Sequence, residues 1–356
     1  EPGIQFGRYR LSQRLATGGM GEIFLAEMDA AAGIKKKVVI KRILPHLAKD
    51  EKFVQRFLDE GRLVAQLSHG NLVPIFDIGI HQGQYFLAME HVDGIDLDAL
   101  IRHQNRLGKT IPVAAAIHIL SMGARALDYV HTRVDDEGRN LHIVHRDISP
   151  QNIMIALSGE VKILDFGIAK ARTRHLQSIP GFIAGKIPYM SPEQLAGQKA
   201  TVLSDLYSLG AVVYQLLTGE FPYQGESESD LIKAVQNDTA RPIQSLIPEL
   251  HPDLCSIINA CIAREPSERP TSAAHLRKEL AEAVKETGLT SGEEALKKLA
   301  NDFEPQGSKS NSFDDLLLQQ VDGAWESMTD SVAGAMTHSR NQYTSSYPIR
   351  HRPLSK

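Results

Sequence analysis

The sequence is poor in cysteine and has no long apolar run. Its 356 residues include 2 cysteines, Cys255 and Cys261, whose C-x5-C spacing matches no common metal-binding or redox motif. We therefore expect both to be small buried hydrophobes, and so few cysteines favour a reducing, cytoplasmic location. The longest apolar run, 209–217, contains Tyr214 and Gln215 and is too short to cross a bilayer, so no membrane span is predicted.

A strong charge of either sign is also missing. Lys and Arg total 39, and Asp and Glu total 43, so the formal net charge is -4. The chain therefore has no net positive charge that would attract nucleic acid, and we predict no nucleic-acid partner. Hydrophobic residues make up 42% and charged residues 23%, which is typical of a soluble globular protein, and the length is enough for more than one core.

Hydrophobic periodicity indicates a strand-rich part followed by a helical part. Residues 8–44 alternate around turn residues and predict a small antiparallel sheet. Further strands are expected at 72–80 and 85–90, and 51–67 has helical spacing. Beyond Gly94, helices are predicted over 97–102, 113–130, 203–217, 229–236, 253–263 and 272–286. A sheet followed by helices favours a two-lobed α+β body.

The C-terminal part has its own pattern. Residues 285–304 are predicted to be a short helical extension, and the composition of 305–312 (P-Q-G-S-K-S-N-S) is that of a linker. Apolar residues then recur every three or four positions, so 313–337 predicts an amphipathic helix. Such a helix is expected to dock on its own protein or to bind a partner protein. The polar stretch 338–356 is expected to be disordered.

The most informative segments are 145–152, which reads H-R-D-I-S-P-Q-N, and 165–167, which reads D-F-G. They place two aspartates and an asparagine on two short loops that a β-hairpin joins. Such a set can hold two magnesium ions and orient a hydroxyl group for phosphoryl transfer. Both segments resemble the catalytic core of protein kinases.

Other segments carry the same resemblance. Residues 15–23 read L-A-T-G-G-M-G-E-I, a turn whose glycines let backbone N–H groups approach phosphates. Lys41 ends an apolar strand, 89–92 (M-E-H-V) resembles the hinge between kinase lobes, and 191–193 (S-P-E) stands where A-P-E would. The chain resembles the eukaryotic-like serine/threonine kinases of bacteria. The implied limits are 7–284 for the kinase domain, 7–90 for its β-sheet N-lobe, 90–94 for the hinge and 95–284 for its helical C-lobe.

The resemblance implies a role for each matching residue. Asp147 would orient the substrate hydroxyl, and Asn152 and Asp165 would bind Mg²⁺. Lys41 would hold the α- and β-phosphates and pair with Glu60. The expected cofactors are ATP and Mg²⁺, and the expected substrates are proteins. The residues expected around ATP are Ala16, Thr17, Gly18, Gly19, Met20, Gly21, Ile23, Val39, Lys41, Glu60, Met89, Glu90, Val92, Asp96 and Met154.

The resemblance also implies contacts that support this site. Asp205, in D-L-Y-S-L-G, matches the helix aspartate that braces the H-R-D backbone, and Arg269 matches the arginine that pairs with Glu193. In the family an arginine before the catalytic Asp pairs with a phosphorylated loop. Thr173 and Ser178 are the candidate phosphorylation sites here.

Some positions depart from the family pattern. Ser149 replaces a lysine expected two residues after the catalytic Asp, Lys186 in G-K-I-P-Y replaces a threonine, and Ala16 replaces the first loop glycine. We expect the first two to have exchanged roles, so that Lys186 brings the cation and Ser149 the hydroxyl that hydrogen-bonds Asp147. The alternative is that Lys186 points to solvent and contacts acidic groups of the substrate.

Other functions remain open at this point. A nucleotide-binding pseudokinase scaffold is favoured by Ser149 and Ala16, but retention of the expected metal ligands opposes it. A kinase-like small-molecule phosphotransferase would have no reason to keep the peptide platform around 191–193. Tyrosine specificity is disfavoured because no arginine follows Asp147 in the catalytic loop.

Overall fold

The computed structural model describes residues 3–17, 21–29, 33–164, 184–289 and 291–303. Within these residues, strands dominate up to residue 90 and helices dominate beyond residue 96. The two-lobed α+β fold predicted from the sequence is therefore confirmed.

The N-terminal lobe is a six-stranded antiparallel sheet with a helix packed on it. Its strands are β1 (Ile4–Phe6), β2 (Tyr9–Thr17), β3 (Gly21–Asp29), β4 (Lys35–Ile43), β5 (Ile75–His81) and β6 (Gln84–Glu90), in the order β1-β2-β3-β4-β6-β5. Helix α1 (Glu51–Ala65) begins at Asp50, whose side chain accepts hydrogen bonds from the backbone N–H groups of Lys52 and Phe53.

Side chains of this sheet alternate between two apolar clusters. Val38 and Ile40 on β4 lie in a small cluster with Phe86. Val39, between them, lies in the larger cluster that continues into the C-terminal lobe. The alternation follows from the two-residue period of a strand, and it buries both faces of β4.

The C-terminal lobe is built around two long buried helices, α3 and α5. Its helices are α2 (Leu97–Arg106), α3 (Val113–His131), α4 (Pro192–Leu195), α5 (Val202–Thr218), α6 (Glu228–Asn237), α7 (Pro252–Cys261), α8 (Ala273–Thr287) and α9 (Gly292–Asn301). Gly123 lets α3 approach α5 closely, because a Cβ there would lie 2.8 Å from Leu209. Helix α5 ends at Gly219, whose φ of 74° is the left-handed conformation of a helix C-cap.

One helix of the described part of the chain is long and apolar enough to cross a membrane by length and composition. It is α3, with 19 residues and a mean hydropathy of 1.2. However, α3 packs against α5, α8 and α9 in the core of the lobe, and its buried residues include Ile119, Leu120 and Leu127. Its composition is therefore explained by burial inside the protein.

The two cysteines lie on α7, and both are free thiols that are buried. Burial raises the pKa of the Cys261 thiol to about 12. The prediction that both serve as small hydrophobic residues is confirmed.

A second, smaller sheet contains the hairpin that connects the two predicted catalytic segments. Strands β7 (Gly94–Asp96), β8 (Ile153–Ala156) and β9 (Val161–Ile163) pair in that order, all antiparallel. The β8–β9 hairpin joins the two predicted loops, as expected. Strand β9 also bonds to the chain before β5, where Val73 N donates to Ile163 O and Ile163 N donates to Asn71 O. These bonds fix the catalytic hairpin to the N-terminal lobe.

Helix α9 packs beneath the β8–β9 turn. Leu296 is 0% exposed, and the Asn301 side chain donates to the Leu157 carbonyl at 3.0 Å. Gly159, with φ of +96°, lies so close to α9 that a Cβ there would be 2.7 Å from Glu293 O. The helix therefore supports the hairpin that carries the catalytic loops.

We expect Leu296→Ala to lower the free energy of unfolding by about 2 kcal/mol, the low end for a buried leucine, because α9 lies at the edge of the core. The matched control is Lys298→Ala, which changes an exposed side chain of the same helix. Urea unfolding of the two variants measures the difference. Equal midpoints would show that α9 adds nothing to the stability of the domain.

Candidate active site

The backbone of the catalytic loop is held by a buried carboxylate on α5. Asp205 accepts hydrogen bonds from the backbone N–H groups of His145 and Arg146, each at 2.8 Å. The His131 ring donates to the same carboxylate at 2.9 Å. Arg146 has φ of 67°, a left-handed conformation that is uncommon for a residue with a side chain. The brace predicted for Asp205 is therefore present, and it fixes the chain reversal directly before Asp147.

Asn152 is locked against the predicted catalytic aspartate. Its Nδ2 donates to the backbone carbonyl of Asp147 at 2.7 Å and to Asp147 Oδ2 at 2.9 Å. Both amide hydrogens are used in these bonds, so Oδ1 of Asn152 remains as an oxygen acceptor. Leu164 N donates to Asn152 O at 2.9 Å, which brings the chain before Asp165 next to this asparagine.

Lys186 also reaches the catalytic aspartate. It lies on a 3-10 turn, Ala184–Tyr189, and its Nζ is 2.8 Å from Asp147 Oδ2. Its side chain is 22% exposed, so Lys186 points into the site and not to solvent.

The other half of the predicted exchange is not found. Ser149 is 1% exposed, and its hydroxyl has no hydrogen-bond partner among the described residues. Ser149 is buried directly before the turn Pro150–Asn152, and the donors that reach Asp147 Oδ2 are Asn152 and Lys186. The expectation that Ser149 hydrogen-bonds Asp147 is therefore wrong.

Four of the residues predicted to surround ATP, namely Ile23, Val39, Lys41 and Met89, share one face of the large sheet. Ile23 on β3 pairs with Lys41 on β4. Val39 lies two residues before Lys41, and it pairs with Met89. Strand geometry places directly paired residues, and residues two apart, on the same face. This face contributes to the apolar cluster that also contains Val92 and Met154.

The hinge is tied to the small sheet by an ion pair. Glu90, at the end of β6, accepts from the Lys162 ammonium on β9 at 2.8 Å.

Gly21, at the C-terminal end of the predicted nucleotide loop, begins β3, and a Cβ there would lie 2.5 Å from Arg42 O. A glycine is therefore needed where the loop enters the sheet. Gly18, Gly19, Met20, Asp165, Thr173 and Ser178 and the side chains of Ala16, Thr17 and Glu60 lie outside what the structure describes.

Asp96 has a role that the prediction of a ribose contact did not anticipate. It is the N-cap of α2, and its side chain accepts from Ala99 N at 2.9 Å. It is 2% exposed, and burial raises its pKa to about 7. The sequence did contain the signal, because an aspartate directly before a helical stretch is a common N-cap.

A buried ion pair joins the S-P-E segment to the far end of the lobe. Arg269 donates to both carboxylate oxygens of Glu193, at 2.8 and 2.9 Å, and Ser204 donates to one of them at 2.6 Å. Burial raises the pKa of Glu193, but the hydrogen bonds from Arg269 and Ser204 outweigh it and hold that pKa at about 2. The pairing predicted for these two residues is confirmed.

Sequence reasoning missed Gln194. Its side chain forms a capping box with Ser191 at the start of α4, and its Nε2 donates to the carbonyl of Arg146 at 3.2 Å. It therefore links the S-P-E helix directly to the catalytic loop. The S-x-x-Q spacing of a capping box was the available signal.

Comparisons with known proteins agree with this geometry. Residues 9–281 match the family profile described as "Protein kinase domain". "Tyrosine-protein kinase MasK" of Myxococcus xanthus is 38% identical over 270 residues, which is 76% of this chain and 42% of that protein. "Serine/threonine-protein kinase Pkn1" of the same species is 36% identical over 289 residues, which is 80% of this chain and 39% of that protein.

The chain thus spans about two fifths of the length of these curated relatives. Among solved structures, the PknI kinase domain of Mycobacterium tuberculosis matches with a TM-score of 0.58 and 26% identity. The match covers 81% of this chain and 99% of that one. The profile, the relatives and the braced Asp147–Asn152 site all agree, and the chain therefore belongs to the protein kinase family, among the eukaryotic-like kinases of bacteria.

Proposed function

We propose that this chain is an ATP- and Mg²⁺-dependent serine/threonine protein kinase that acts in signal transduction. The observation that carries the proposal is the fixed position of Asp147, whose carboxylate is contacted by Asn152 and Lys186 and whose backbone follows a turn braced by Asp205. A chain without phosphotransfer activity has no physical need for a carboxylate fixed in this way.

The residues present fit a magnesium ion. Mg²⁺ prefers oxygen ligands and is usually bound by few protein groups together with phosphate oxygens. The orientation of Asn152 presents its Oδ1 as such a ligand, because its amide hydrogens are committed to Asp147. We therefore assign metal binding to Asn152 with Asp165, which follows Leu164 in the chain.

The chain's own groups have distinct tasks in transfer. ATP with Mg²⁺ supplies an electrophilic phosphoryl group whose charge the metal partly neutralises. Asp147 orients the substrate hydroxyl and receives its proton, and Asn152 keeps that carboxylate in place. Lys41, on the face of the sheet shared with Val39, is assigned to the α- and β-phosphates.

The choice of serine and threonine over tyrosine rests on the loop after Asp147. The five residues that follow, I-S-P-Q-N, contain no arginine, and Pkn1 is named a serine/threonine kinase. MasK, however, is named a tyrosine kinase. The acceptor residue is therefore part of the test.

The proposed cellular setting is the cytoplasm. The chain has only two cysteines, and both are free thiols, which favours the cytoplasm.

Proteins are the proposed substrates, and Thr173 and Ser178 are the proposed sites of regulatory phosphorylation. The amphipathic helix predicted at 313–337 is proposed to dock on the kinase domain or to bind a partner protein.

The test is incubation of the chain with γ-labelled ATP, Mg²⁺ and a generic protein substrate, followed by phosphosite mapping. We expect label on serine and threonine with the wild type, and none with Asp147→Asn or Lys41→Met, while thermal unfolding stays close to wild type. Label on tyrosine alone would overturn the proposed acceptor. Nucleotide binding without any transfer would instead establish a scaffold.

A further inference from the structure

We propose that Lys186 is a catalytic residue that supplies the cation at the transferring phosphoryl group. The inference rests on the proposed kinase function. It assigns to a residue outside the catalytic loop the positive charge that this loop does not contain. Phosphoryl transfer spreads negative charge over the oxygens of the moving group, so a nearby cation stabilises the transition state. The loop after Asp147, I-S-P-Q-N, contains no lysine or arginine.

The contact with Asp147 places Lys186 where this charge develops. The substrate oxygen must touch both Asp147 and the phosphorus that it attacks, so an ammonium at 2.8 Å from Asp147 Oδ2 lies next to the carboxylate that receives this oxygen's proton. An ammonium has three N–H donors, and one bond to Asp147 leaves it able to bridge to an anion. Partial burial strengthens the interaction, because the side chains of Lys186 and Asp147 are 22% and 12% exposed.

The segment that carries Lys186 is held firmly against the lobe. Ile187 and Tyr189 are buried, and the Tyr189 hydroxyl donates to Gln215 Oε1 at 2.7 Å on α5. On the other side, Gly185 lies against the catalytic loop, since a Cβ there would be 3.9 Å from Gln151 Nε2. A side chain on such a support is positioned before substrate arrives, and this preorganisation makes a charge effective in catalysis.

The burial of Ser149 agrees with this assignment. A serine in the catalytic loop whose hydroxyl has no partner among the described residues contributes neither charge nor a hydrogen bond to Asp147. In the transfer step, the substrate oxygen bonds to phosphorus as the bond from phosphorus to ADP breaks, and the hydroxyl proton passes to Asp147. Lys186 keeps its proton throughout and acts as a fixed positive charge.

Two other roles for Lys186 predict different results. If the lysine only restrains Asp147 in a resting state, its removal raises kcat. If it reads acidic side chains of the substrate, its removal raises KM for the peptide and leaves kcat unchanged. Only a contact with the transferring group lowers kcat and also weakens a transition-state analogue.

The experiment compares Lys186→Met, Lys186→Arg and the exchange Ser149→Lys/Lys186→Thr with the wild type. Lys199→Met is the matched control, because Lys199 is an exposed lysine a short way along the chain. The readouts are kcat, peptide KM, and the dissociation constants of ADP–Mg²⁺ and of ADP–Mg²⁺ with aluminium fluoride, which mimics the moving phosphoryl group.

We expect Lys186→Met to lower kcat by about 10²–10³-fold, which is typical for the loss of one preorganised donor. The preference for the aluminium fluoride complex over ADP should fall at least about tenfold, while ADP affinity and the thermal midpoint stay within about twofold and a few degrees of wild type. Lys186→Arg and the exchange should each recover part of both losses, and Lys199→Met should lose neither.

Three results would overturn the assignment: a kcat of Lys186→Met at or above wild type, a change in peptide KM alone, or equal weakening of ADP with and without aluminium fluoride. If the wild type transfers no phosphate at all, the proposed function fails separately. The ratio of the two dissociation constants then still decides whether Lys186 faces the phosphoryl position.

Discussion

Asp205→Ala is expected to lower the free energy of unfolding by about 2–6 kcal/mol and to lose phosphoryl transfer with it. The substitution leaves the N–H groups of His145 and Arg146 without their acceptor, and each buried unpaired group costs about 1–3 kcal/mol. Asp205 is 1% exposed, so water cannot readily replace the carboxylate. This is a large part of the total stability of a typical domain.

Loss of activity should follow from the backbone of Arg146. Its φ of 67° is held by Asp205 on one side and by the Gln194 bond to its carbonyl on the other. Without the carboxylate the left-handed residue can relax, and Asp147, the next residue, moves with it.

Two variants separate this brace from a general effect on α5. Asp205→Asn keeps one acceptor oxygen but places an NH₂ group against a donor, so we expect a loss between those of wild type and Asp205→Ala. Ser208→Ala removes a buried hydroxyl from the same helix that bonds only within the helix, and we expect less than about 1 kcal/mol. Urea unfolding and kcat measure both effects. Asp205→Ala as stable as Ser208→Ala would contradict the brace.

The elements of the fold were predictable because they depend on local pattern. The predicted helix 113–130 is observed at Val113–His131, and the predicted strand 85–90 at Gln84–Glu90. The apolar residues of the helix recur with helical spacing, and those of the strand form a short apolar run that fits a strand buried on both faces. The packing of α9 under the β8–β9 turn was not predictable, since it depends on contacts between residues far apart in the sequence, such as Asn301 and Leu157.

The candidate site could also be predicted only in part from the sequence. Family motifs identified Asp205 and the Glu193–Arg269 pair, although single-sequence periodicity carries no information on partners 76 positions apart. A cation from Lys186 in the site was expected from two departures from the motif; its contact with Asp147 was not predicted, but it places Lys186 in the site. A hydrogen bond from the Ser149 hydroxyl to Asp147 was also expected and is absent, because the burial of this side chain depends on packing that a single sequence does not show.

Arg269→Ala is expected to lower the free energy of unfolding by about 3–5 kcal/mol, since it leaves the Glu193 carboxylate buried without its cation. The guanidinium is fully buried and uses each of its three nitrogens as a donor. Besides Glu193, its acceptors are the carbonyl groups of Ala263, Leu203 and Arg264. Arg269→Lys is therefore expected to lose most of the same stability although it keeps the charge, because an ammonium has three donors and no planar fork.

The pH dependence gives an independent check of the same pair. The pKa of Glu193 lies at about 2 in the folded protein, against an ordinary value of 4.5. A pKa lowered by folding means that the stabilisation is complete above about pH 4.5 and is lost as the pH falls toward 2. The stability difference between wild type and Glu193→Gln, measured by urea unfolding, should therefore shrink between about pH 5 and about pH 3.

The double change Glu193→Leu/Arg269→Met removes both charges, and we expect it to cost less than Arg269→Ala alone, because no buried ion then lacks its partner. A difference that stays constant with pH, or a double variant that is the least stable of the set, would show that the pair contributes through its packing and not through its charges.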